Sequence, residues 1–247
     1  MNQVLIDSKG LSKKYPSNNF LSLDSIDLQI YRSEKFGIFG PNGAGKTTLI
    51  SLMCGIIQPS EGSITCFMQD EVSMNSISDK IGYVPQDFAF FQELTPVQNL
   101  SYFGGLYGIP KVELSEKIDF LLNKLSLDHV RDVKIQTFSG GMKRRINLAI
   151  GLINDPEILF LDEPTVGVDV QSKFAIVELL QDLNMKGTTI IYTSHHLKEA
   201  EDFCDRIALL DEGKIIAIGP LTELVRQNNV SDLEELMIHF TGKKLRD

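Results

Sequence analysis

Two short stretches of the chain carry residue types suited to binding and cleaving phosphate groups. The first has the spacing Gly-x-x-x-x-Gly-Lys-Thr and consists of Gly40, Pro41, Asn42, Gly43, Ala44, Gly45, Lys46 and Thr47, with Thr48 next. A strand-like run precedes it and a helical pattern follows, so its glycines let backbone N–H groups converge on phosphate oxygens at a helix N-terminus. Lys46 supplies positive charge for the β and γ phosphates, and the Thr47 hydroxyl is a ligand for Mg²⁺. The alternative is an ordinary glycine-rich turn.

The second stretch is the acidic pair Asp162 and Glu163, directly after the apolar residues 158–161. A run that is apolar at every position is typical of a central parallel strand, and ligands bind beyond the carboxyl ends of such strands. Asp162 is therefore a candidate to hold Mg²⁺ through a water. Glu163 is a candidate to orient or deprotonate the water that attacks the γ-phosphate. The alternative is a pair of strand-end carboxylates solvated in a turn.

A second candidate for anion binding is the turn formed by Ser139, Gly140, Gly141 and Met142. Ser139 is a favourable helix N-cap, and the paired glycines leave backbone N–H groups open to a ligand. The basic residues 143–145 follow in the first turns of the predicted helix. Positive charge there is unfavourable against the helix dipole unless a bound anion neutralises it. The alternative is a capped helix with a solvated basic face.

The elements that must position these residues alternate between strand and helix. Short apolar runs predict strands at residues 28–30, 35–39, 81–84, 158–161 and 189–193, and helical patterns lie at 47–54, 142–153 and 171–184. This alternation predicts an α/β fold with a mostly parallel sheet. Residues 207–218 predict an antiparallel hairpin, and helical spacing between 88 and 138 predicts an inserted helical lobe. The tail carries two amphipathic pieces, at 222–227 and 232–240, each opened by a capping residue.

Length and composition restrict the class of protein. The 247 residues are 43% apolar and 23% charged, which is typical of a globular domain. The net charge of −9 disfavours nonspecific binding to nucleic acid or anionic lipid. No apolar run approaches the roughly 18 residues of a membrane span, and the N-terminus lacks a secretory pattern, so we expect an intracellular protein. Cys54, Cys66 and Cys204 are widely spaced, which predicts buried thiols and no disulfide framework or zinc site.

From residue 4 to residue 219 the chain resembles the ATP-binding subunit of an ABC transporter. Residues 40–47 resemble the Walker A loop of that family, Ser139, Gly140 and Gly141 the core of its LSGGQ signature, and residues 158–163 its Walker B strand with the following glutamate. The resemblance implies a P-loop NTPase fold. We expect a RecA-like core at residues 1–87 and 155–220, a helical lobe at 88–154 and a helical tail at 221–247.

The resemblance also implies roles for single residues. Tyr15 falls where the family places an aromatic that stacks on adenine, Gln86 where it places a glutamine that reaches Mg²⁺, and Asp169 at the D-loop aspartate of the subunit interface. His195 resembles the histidine that contacts the γ-phosphate. The ordinary alternatives are a loop tyrosine over the core, a polar residue at a strand end and a structural histidine. The implied ligands are ATP and Mg²⁺, with catalysis by Glu163, His195 and Gln86 and metal binding by Thr47, Gln86 and Asp162.

The implied partners follow from one phosphate loop and one Ser-Gly-Gly turn per chain. In the family these two face the same ATP from different subunits, so we expect a two-fold dimer of identical chains, with Ser139–Met142 acting in trans. A separate integral membrane permease is expected to dock on residues 88–106, holding the chain at the inner face of the cell membrane, and no nucleic-acid partner is expected. Residues 138–145 and the tail resemble ABC-2-type exporters of drugs, lipids or polysaccharides. The rival function is a soluble ABC-type ATPase of DNA repair or translation.

The sequence departs from the family pattern at the signature, where Phe138 replaces Leu and Met142 replaces Gln. Met142 loses any side-chain hydrogen bond that glutamine would make, while Ser139 and the glycine amides are kept. We therefore expect a competent site, and these two departures leave its rate of hydrolysis open.

Overall fold

The computed structural model describes residues 3–17, 19–67, 71–72, 78–194 and 197–242. Its strands in chain order are β1 (Val4–Lys14), β2 (Leu21–Tyr31), β3 (Lys35–Phe39), β4 (Glu61–Phe67), β5 (Glu71–Val72), β6 (Ile81–Val84), β7 (Ile158–Asp162), β8 (Thr189–Thr193), β9 (Arg206–Asp211) and β10 (Lys214–Pro220). Its α-helices in chain order are α1 (Lys46–Met53), α2 (Pro96–Leu106), α3 (Lys111–Lys124), α4 (Gly140–Leu152), α5 (Val170–Met185), α6 (Leu197–Phe203), α7 (Leu221–Asn228) and α8 (Leu233–Thr241). Within these ranges, no helix has the length and apolar content that crossing a bilayer requires.

The elements fall into two compact units. One unit consists of Met1–Ser78 together with Thr189–Asp247, and the other of Asp79–Thr188. The first contains β1–β5, β8–β10, α1 and α6–α8, and the second contains β6, β7 and α2–α5. The predicted core, lobe and tail follow different boundaries, and that division stays a prediction.

The first unit contains an antiparallel sheet with the strand order β2-β1-β4-β5. Along β2 the buried residues are Leu23, Ile26, Leu28 and Ile30. Buried and exposed positions alternate from Ile26 onward, but one extra residue lies between Leu23 and Ile26. Ser25 lies in this interval with a φ of 53°, and the β1–β2 register shifts there, so β2 carries a bulge. The bulge interrupts the period of two that identifies a strand, which explains why the sequence predicted only residues 28–30 of this strand.

The first unit also contains parallel pairing, in which β3 lies between β8 and β9. Strand β8 is buried at every position, as the apolar sequence predicted. Strands β9 and β10 form the predicted hairpin, and its turn residues Glu212 and Gly213 both have positive φ, 45° and 77°. Positive φ at both central residues is the geometry that matches the twist of a two-residue hairpin.

The second unit is built on the parallel pair β6 and β7, which runs in register from Ile81 opposite Ile158 to Val84 opposite Leu161. Helix α4 packs on β6 so closely that a Cβ added at Gly151 would lie 2.5 Å from a methyl carbon of Val84. All five residues of β7 are buried, which confirms the prediction of a central strand.

The tail of the first unit differs from the sequence prediction in one respect. Asp232 caps α8, where its side chain accepts a hydrogen bond from the Glu235 amide at 2.8 Å. The prediction of a capping side chain for the first tail helix was wrong, because α7 follows Pro220 and has no side-chain cap. Proline still sets a backbone angle compatible with entry into a helix.

Candidate functional site

The predicted phosphate loop joins the end of β3 to the start of α1 in the first unit. Gly45 is the N-cap of α1 with a φ of 107°, and a Cβ added there would lie 2.6 Å from the Ser22 carbonyl oxygen. A Cβ at Gly40 would lie 2.1 Å from the carbonyl oxygen of Leu210. Only glycine fits these two close approaches, so the loop takes a single tightly supported path. Pro41, Asn42, Gly43 and Ala44 occupy the span between them.

Positive charge is concentrated at this loop. Lys46 is buried, and its Nζ donates to the carbonyl oxygens of Gly40 at 2.8 Å and Pro41 at 3.1 Å. Helix α1 carries no acidic residue in its first turn, so nothing in that turn neutralises the positive end of the helix dipole. Thr47 is exposed and Thr48 half-buried in the same turn. The loop thus combines a lysine amine, backbone amides and a hydroxyl, which suits a phosphate chain with a bound cation.

The β9–β10 hairpin supports the phosphate loop, a role that the sequence pattern did not reveal. The Gly213 amide donates to the carbonyl oxygen of Ala44 at 3.1 Å, and the Asp24 amide donates to the carbonyl oxygen of Gly213 at 2.8 Å. The turn therefore bridges strand β2 and the loop through these two backbone hydrogen bonds. Since these contacts use no side chain, only the glycine in the turn could have indicated them from sequence.

Two of the predicted catalytic residues meet in the second unit. Glu163 follows β7 and is 4% exposed, and the Gln86 side-chain amide donates to its Oε2 at 3.0 Å. Glu163 has a φ of 54°, a left-handed conformation that is strained for a residue with a side chain. Such strain is typical of functional positions held by their surroundings. Asp162, the last residue of β7, is 2% exposed.

The Ser-Gly-Gly turn lies at the start of α4, as predicted. Ser139 is the N-cap, and its Oγ accepts a hydrogen bond from the Met142 amide at 3.3 Å. A Cβ added at Gly141 would lie 3.0 Å from Oδ2 of Asp169 and 3.3 Å from Oγ of Ser172. The small size of Gly141 therefore lets the α4 tip approach the N-terminus of α5.

Asp169 is the N-cap of α5 and is held there by Ser172. The Ser172 amide donates to Oδ1 of Asp169 at 2.9 Å, and the Ser172 hydroxyl donates to Oδ2 at 2.7 Å. These two hydrogen bonds, aided by the charge of Arg145, lower the pKa of the Asp169 carboxyl. Asp169 is thus a carboxylate near neutral pH, positioned beside the signature turn.

The three basic residues after the turn all bind oxygen atoms of the second unit, and the anion site stays a prediction. Lys143 bonds Oε1 of Gln92 at 3.1 Å, Arg144 donates to the Gln86 carbonyl oxygen at 2.7 Å, and Arg145 donates to the Leu125 carbonyl oxygen at 2.7 Å. Burial lowers the pKa of both arginines. Both arginines are therefore internal donors to backbone oxygens.

Two further predicted site residues are Tyr15 and His195. Tyr15 follows β1 and is half-buried, with Lys13 Nζ 5.5 Å from the centre of its ring, so stacking on adenine stays a prediction. His195 lies outside the described residues, and its role also stays a prediction. Strand β8, which precedes it, ends at Thr193 as expected.

Comparison with known proteins finds similarity along most of the chain. A family model described as ABC transporter matches residues 23–166. The linearmycin resistance ATP-binding protein LnrL of Bacillus subtilis is 40% identical over 222 residues, which cover 89% of this chain and 70% of that protein. The Nod factor export ATP-binding protein I of a Rhizobium species is 37% identical over 92% of this chain and 75% of its own length.

Solved structures agree with the sequence relatives. The ATP-binding subunit of an ABC transporter superposes with a TM-score of 0.86 at 27% identity, covering 96% of this chain and 99% of that one. A dimeric ATP-binding cassette in a post-hydrolysis state, bound to ADP and phosphate, gives a TM-score of 0.80 at 26% identity, covering 88% of this chain and 99% of that one. The fold is that of these cassettes.

Proposed function

The chain belongs to the ABC transporter family, and on that premise we propose that its ATPase activity powers export through a separate membrane-spanning protein. It binds and hydrolyses ATP, as members of this family do. The observation that carries the proposal is the buried Glu163 at the end of β7, held by Gln86 at 3.0 Å. A buried, oriented carboxylate after a parallel strand is suited to act as the general base in the hydrolysis of a phosphoanhydride.

Phosphate binding is assigned to residues 40–47 and Thr48. The backbone amides of the loop and the Lys46 amine bind the phosphate oxygens, and the N-terminus of α1 adds its dipole. Thr47, Asp162 and Gln86 are assigned to Mg²⁺ by the family resemblance, and each side chain carries an oxygen atom, the ligand type that Mg²⁺ prefers. When bound, Mg²⁺ neutralises charge on the β and γ phosphates. Tyr15 is assigned to the adenine ring.

Hydrolysis is assigned to Glu163 and Gln86. Glu163 orients the attacking water and accepts its proton as the oxygen bonds to the γ-phosphorus and the bond to the β-phosphate oxygen breaks. The Gln86 amide fixes one carboxylate oxygen of Glu163 and so orients the carboxylate for this role. His195 is assigned to the γ-phosphate by the family resemblance.

The working unit is proposed to be a dimer of two identical chains. Each chain has one phosphate loop and one Ser-Gly-Gly turn, and the relative captured with ADP and phosphate is dimeric. Ser139 and the following glycines would complete the partner's site in trans, and Asp169, beside Gly141, would lie at the same interface. ATP then holds the two chains together, and its hydrolysis releases them.

A membrane partner is proposed to dock on an aromatic surface of the second unit. This surface comprises Phe88, Phe91, Tyr102 and Leu106, which are 39–67% exposed. Phe91 and Tyr102 meet edge to face, with ring centres 5.1 Å apart, so part of the surface is preorganised. Exposed aromatic groups of this kind mark interaction sites, and docking there would hold the chain at the inner face of the membrane. The relatives are named for linearmycin resistance and Nod factor export, which favours the export direction of the proposal.

The proposal is tested with purified chain and native membranes. Glu163→Gln should keep ATP binding and lower hydrolysis about 10²- to 10⁴-fold, the usual contribution of a positioned base. A Glu163→Gln protein that hydrolyses ATP at the parent rate would remove the role of Glu163.

The membrane partner is tested by detergent extraction and purification of the tagged chain. A protein with several membrane spans should accompany the parent chain but not Phe91→Asp. The matched control is Phe120→Asp, an equally exposed aromatic on α3 outside the aromatic surface. Equal recovery with Phe91→Asp would contradict docking at this surface, and ribosomes or DNA in place of a membrane protein would overturn the transport proposal.

A further inference from the structure

Helix α4 binds the chain segment that contains Gln86 through two side chains. Arg144 Nη1 donates to the carbonyl oxygen of Gln86 at 2.7 Å. Asn147 Nδ2 donates to the carbonyl oxygen of Pro85 at 2.9 Å, and its Oδ1 accepts a hydrogen bond from the Ala89 amide at 3.1 Å. The segment 85–89 has no regular secondary structure, so these bonds replace the ladder that a strand or helix would provide.

Both side chains are buried, where a polar group lowers the free energy of unfolding unless it forms hydrogen bonds. Arg144 is 6% exposed and Asn147 is 2% exposed. The Arg144 guanidinium also stacks on the Phe88 ring, with its central carbon 5.0 Å from the ring centre. A buried cation disfavours folding unless its donors and its field are used. Here Nη1 donates to the Gln86 segment, and the negative charges of Glu163, Asp87 and Asp162 favour the charged guanidinium.

These contacts continue directly to the catalytic carboxylate. The Gln86 backbone is bound by α4, and the Gln86 side chain donates to Oε2 of Glu163. The N-cap of the same helix is Ser139, through which the partner's nucleotide is proposed to be recognised. One rigid helix therefore connects the signature turn to the residue that orients Glu163.

We propose that Arg144 and Asn147 are positioning residues that tie the Gln86 segment to the signature helix, so that Glu163 is oriented for hydrolysis only while that helix holds Gln86. The inference rests on the proposed function, because it concerns the same hydrolysis. It adds that the rate of the chemical step, and not the binding of ATP, depends on two residues that touch neither nucleotide nor metal. Phe88, which stacks on Arg144, then connects the aromatic surface to the same contacts.

The test compares steady-state ATP hydrolysis and nucleotide affinity in the full-length chain. Arg144→Met keeps a long side chain against Phe88 but cannot donate to the Gln86 carbonyl, and Asn147→Leu keeps the volume but removes both amide contacts. Each should lower kcat about 100-fold, the effect of misplacing a catalytic group by about 1 Å. KM and the Kd of a fluorescent ATP analogue should stay within about twofold of the parent values, because the phosphate loop is unchanged.

The matched control is Asn154→Leu. Asn154 also donates to two backbone carbonyl oxygens, those of Asp79 at 2.9 Å and Ile81 at 3.0 Å, but these lie outside the Gln86 segment. Its substitution should lower the melting temperature while kcat per folded molecule stays at the parent value. Loss of kcat in the control equal to that in Asn147→Leu would show a merely structural role and overturn the proposal.

A conservative variant keeps the test decisive if Arg144→Met does not fold. Arg144→Lys retains one donor for the Gln86 carbonyl and should lose only about tenfold in kcat, with KM unchanged. A kcat within about twofold of the parent in Arg144→Lys and Asn147→Leu together would overturn the inference. A failure of the proposed function is recognised separately, because the parent chain would then hydrolyse no ATP or Glu163→Gln would hydrolyse it at the parent rate.

Discussion

Gly40→Ala should disable the phosphate loop by displacing it. The new Cβ would lie 2.1 Å from the Leu210 carbonyl oxygen, whereas ordinary contact begins at 3.4 Å. Leu210 is fixed in β9, which pairs with β10 on one side and β3 on the other, so the loop must move and the strand cannot. A displacement of about 1 Å at a phosphate site weakens ATP binding about 10- to 100-fold. The overpacking itself should cost about 1–3 kcal/mol of the unfolding free energy.

The assay measures ATP affinity by fluorescence titration and unfolding free energy by urea denaturation on the same samples. Gly10→Ala is the control, because Gly10 also has positive φ, 56°, yet an added Cβ there meets no atom within 4 Å. The control should lose about 1 kcal/mol of stability from the left-handed conformation while its ATP affinity stays at the parent value. An affinity for ATP in Gly40→Ala within about twofold of the parent would refute the assigned contact with the β9–β10 hairpin.

Three further predictions follow from the site and its surroundings. In the Glu163→Gln background, Ser139→Arg should still bind ATP as a monomer but fail to dimerise, and a dimer peak in size-exclusion chromatography would contradict the assignment in trans. The pKa of Asp169 is lower in the folded chain than in the unfolded chain. The carboxylate therefore stabilises the fold fully at pH values above its unfolded pKa, and this stabilisation is lost as the pH falls through its folded pKa. The urea midpoints of the parent and Asp169→Ala should accordingly converge in acid. Burial raises the pKa of the Cys204 thiol, so iodoacetamide at pH 8 should label the half-buried Cys54 before Cys204. Peptide mass spectrometry measures the two labelling rates, and equal rates in the folded chain would disprove the prediction.

The strands that support the site were predictable because their residues are buried on both faces. Strands β3, β6 and β8 have the bounds that the apolar runs predicted, and β7 extends one residue further, to Asp162. Strands β1 and β4 were missed, since β1 carries Asp7, Lys9 and Gly10 in its middle and β4 is mostly exposed. Half-exposed strands with bulges lack both the apolar run and the strict alternation that identify a strand from sequence.

The candidate site likewise contains residues that the sequence identified and contacts that it did not. Gly40–Thr47, Asp162 and Glu163 were identifiable because their chemistry depends on local spacing and on the strand that precedes them. The contact between Gln86 and Glu163 joins residues 77 positions apart, and the bonds from Arg144 and Asn147 to residues 85–89 span a similar distance. No periodic pattern encodes which backbone oxygen a buried arginine will reach. The basic run at 143–145 therefore suggested an anion site or a solvated face, while its arginines bind carbonyl groups.

The tight turn at Glu212 and Gly213 has a practical consequence for protein engineering. Short turns between exposed strands are the usual positions for inserted epitopes, split points and circular permutation. This one is unsuited to all three, because its amide and carbonyl hold Ala44 and Asp24 in place. Lengthening it by even one residue would remove a fixed support from the phosphate loop, so tags on this chain belong elsewhere.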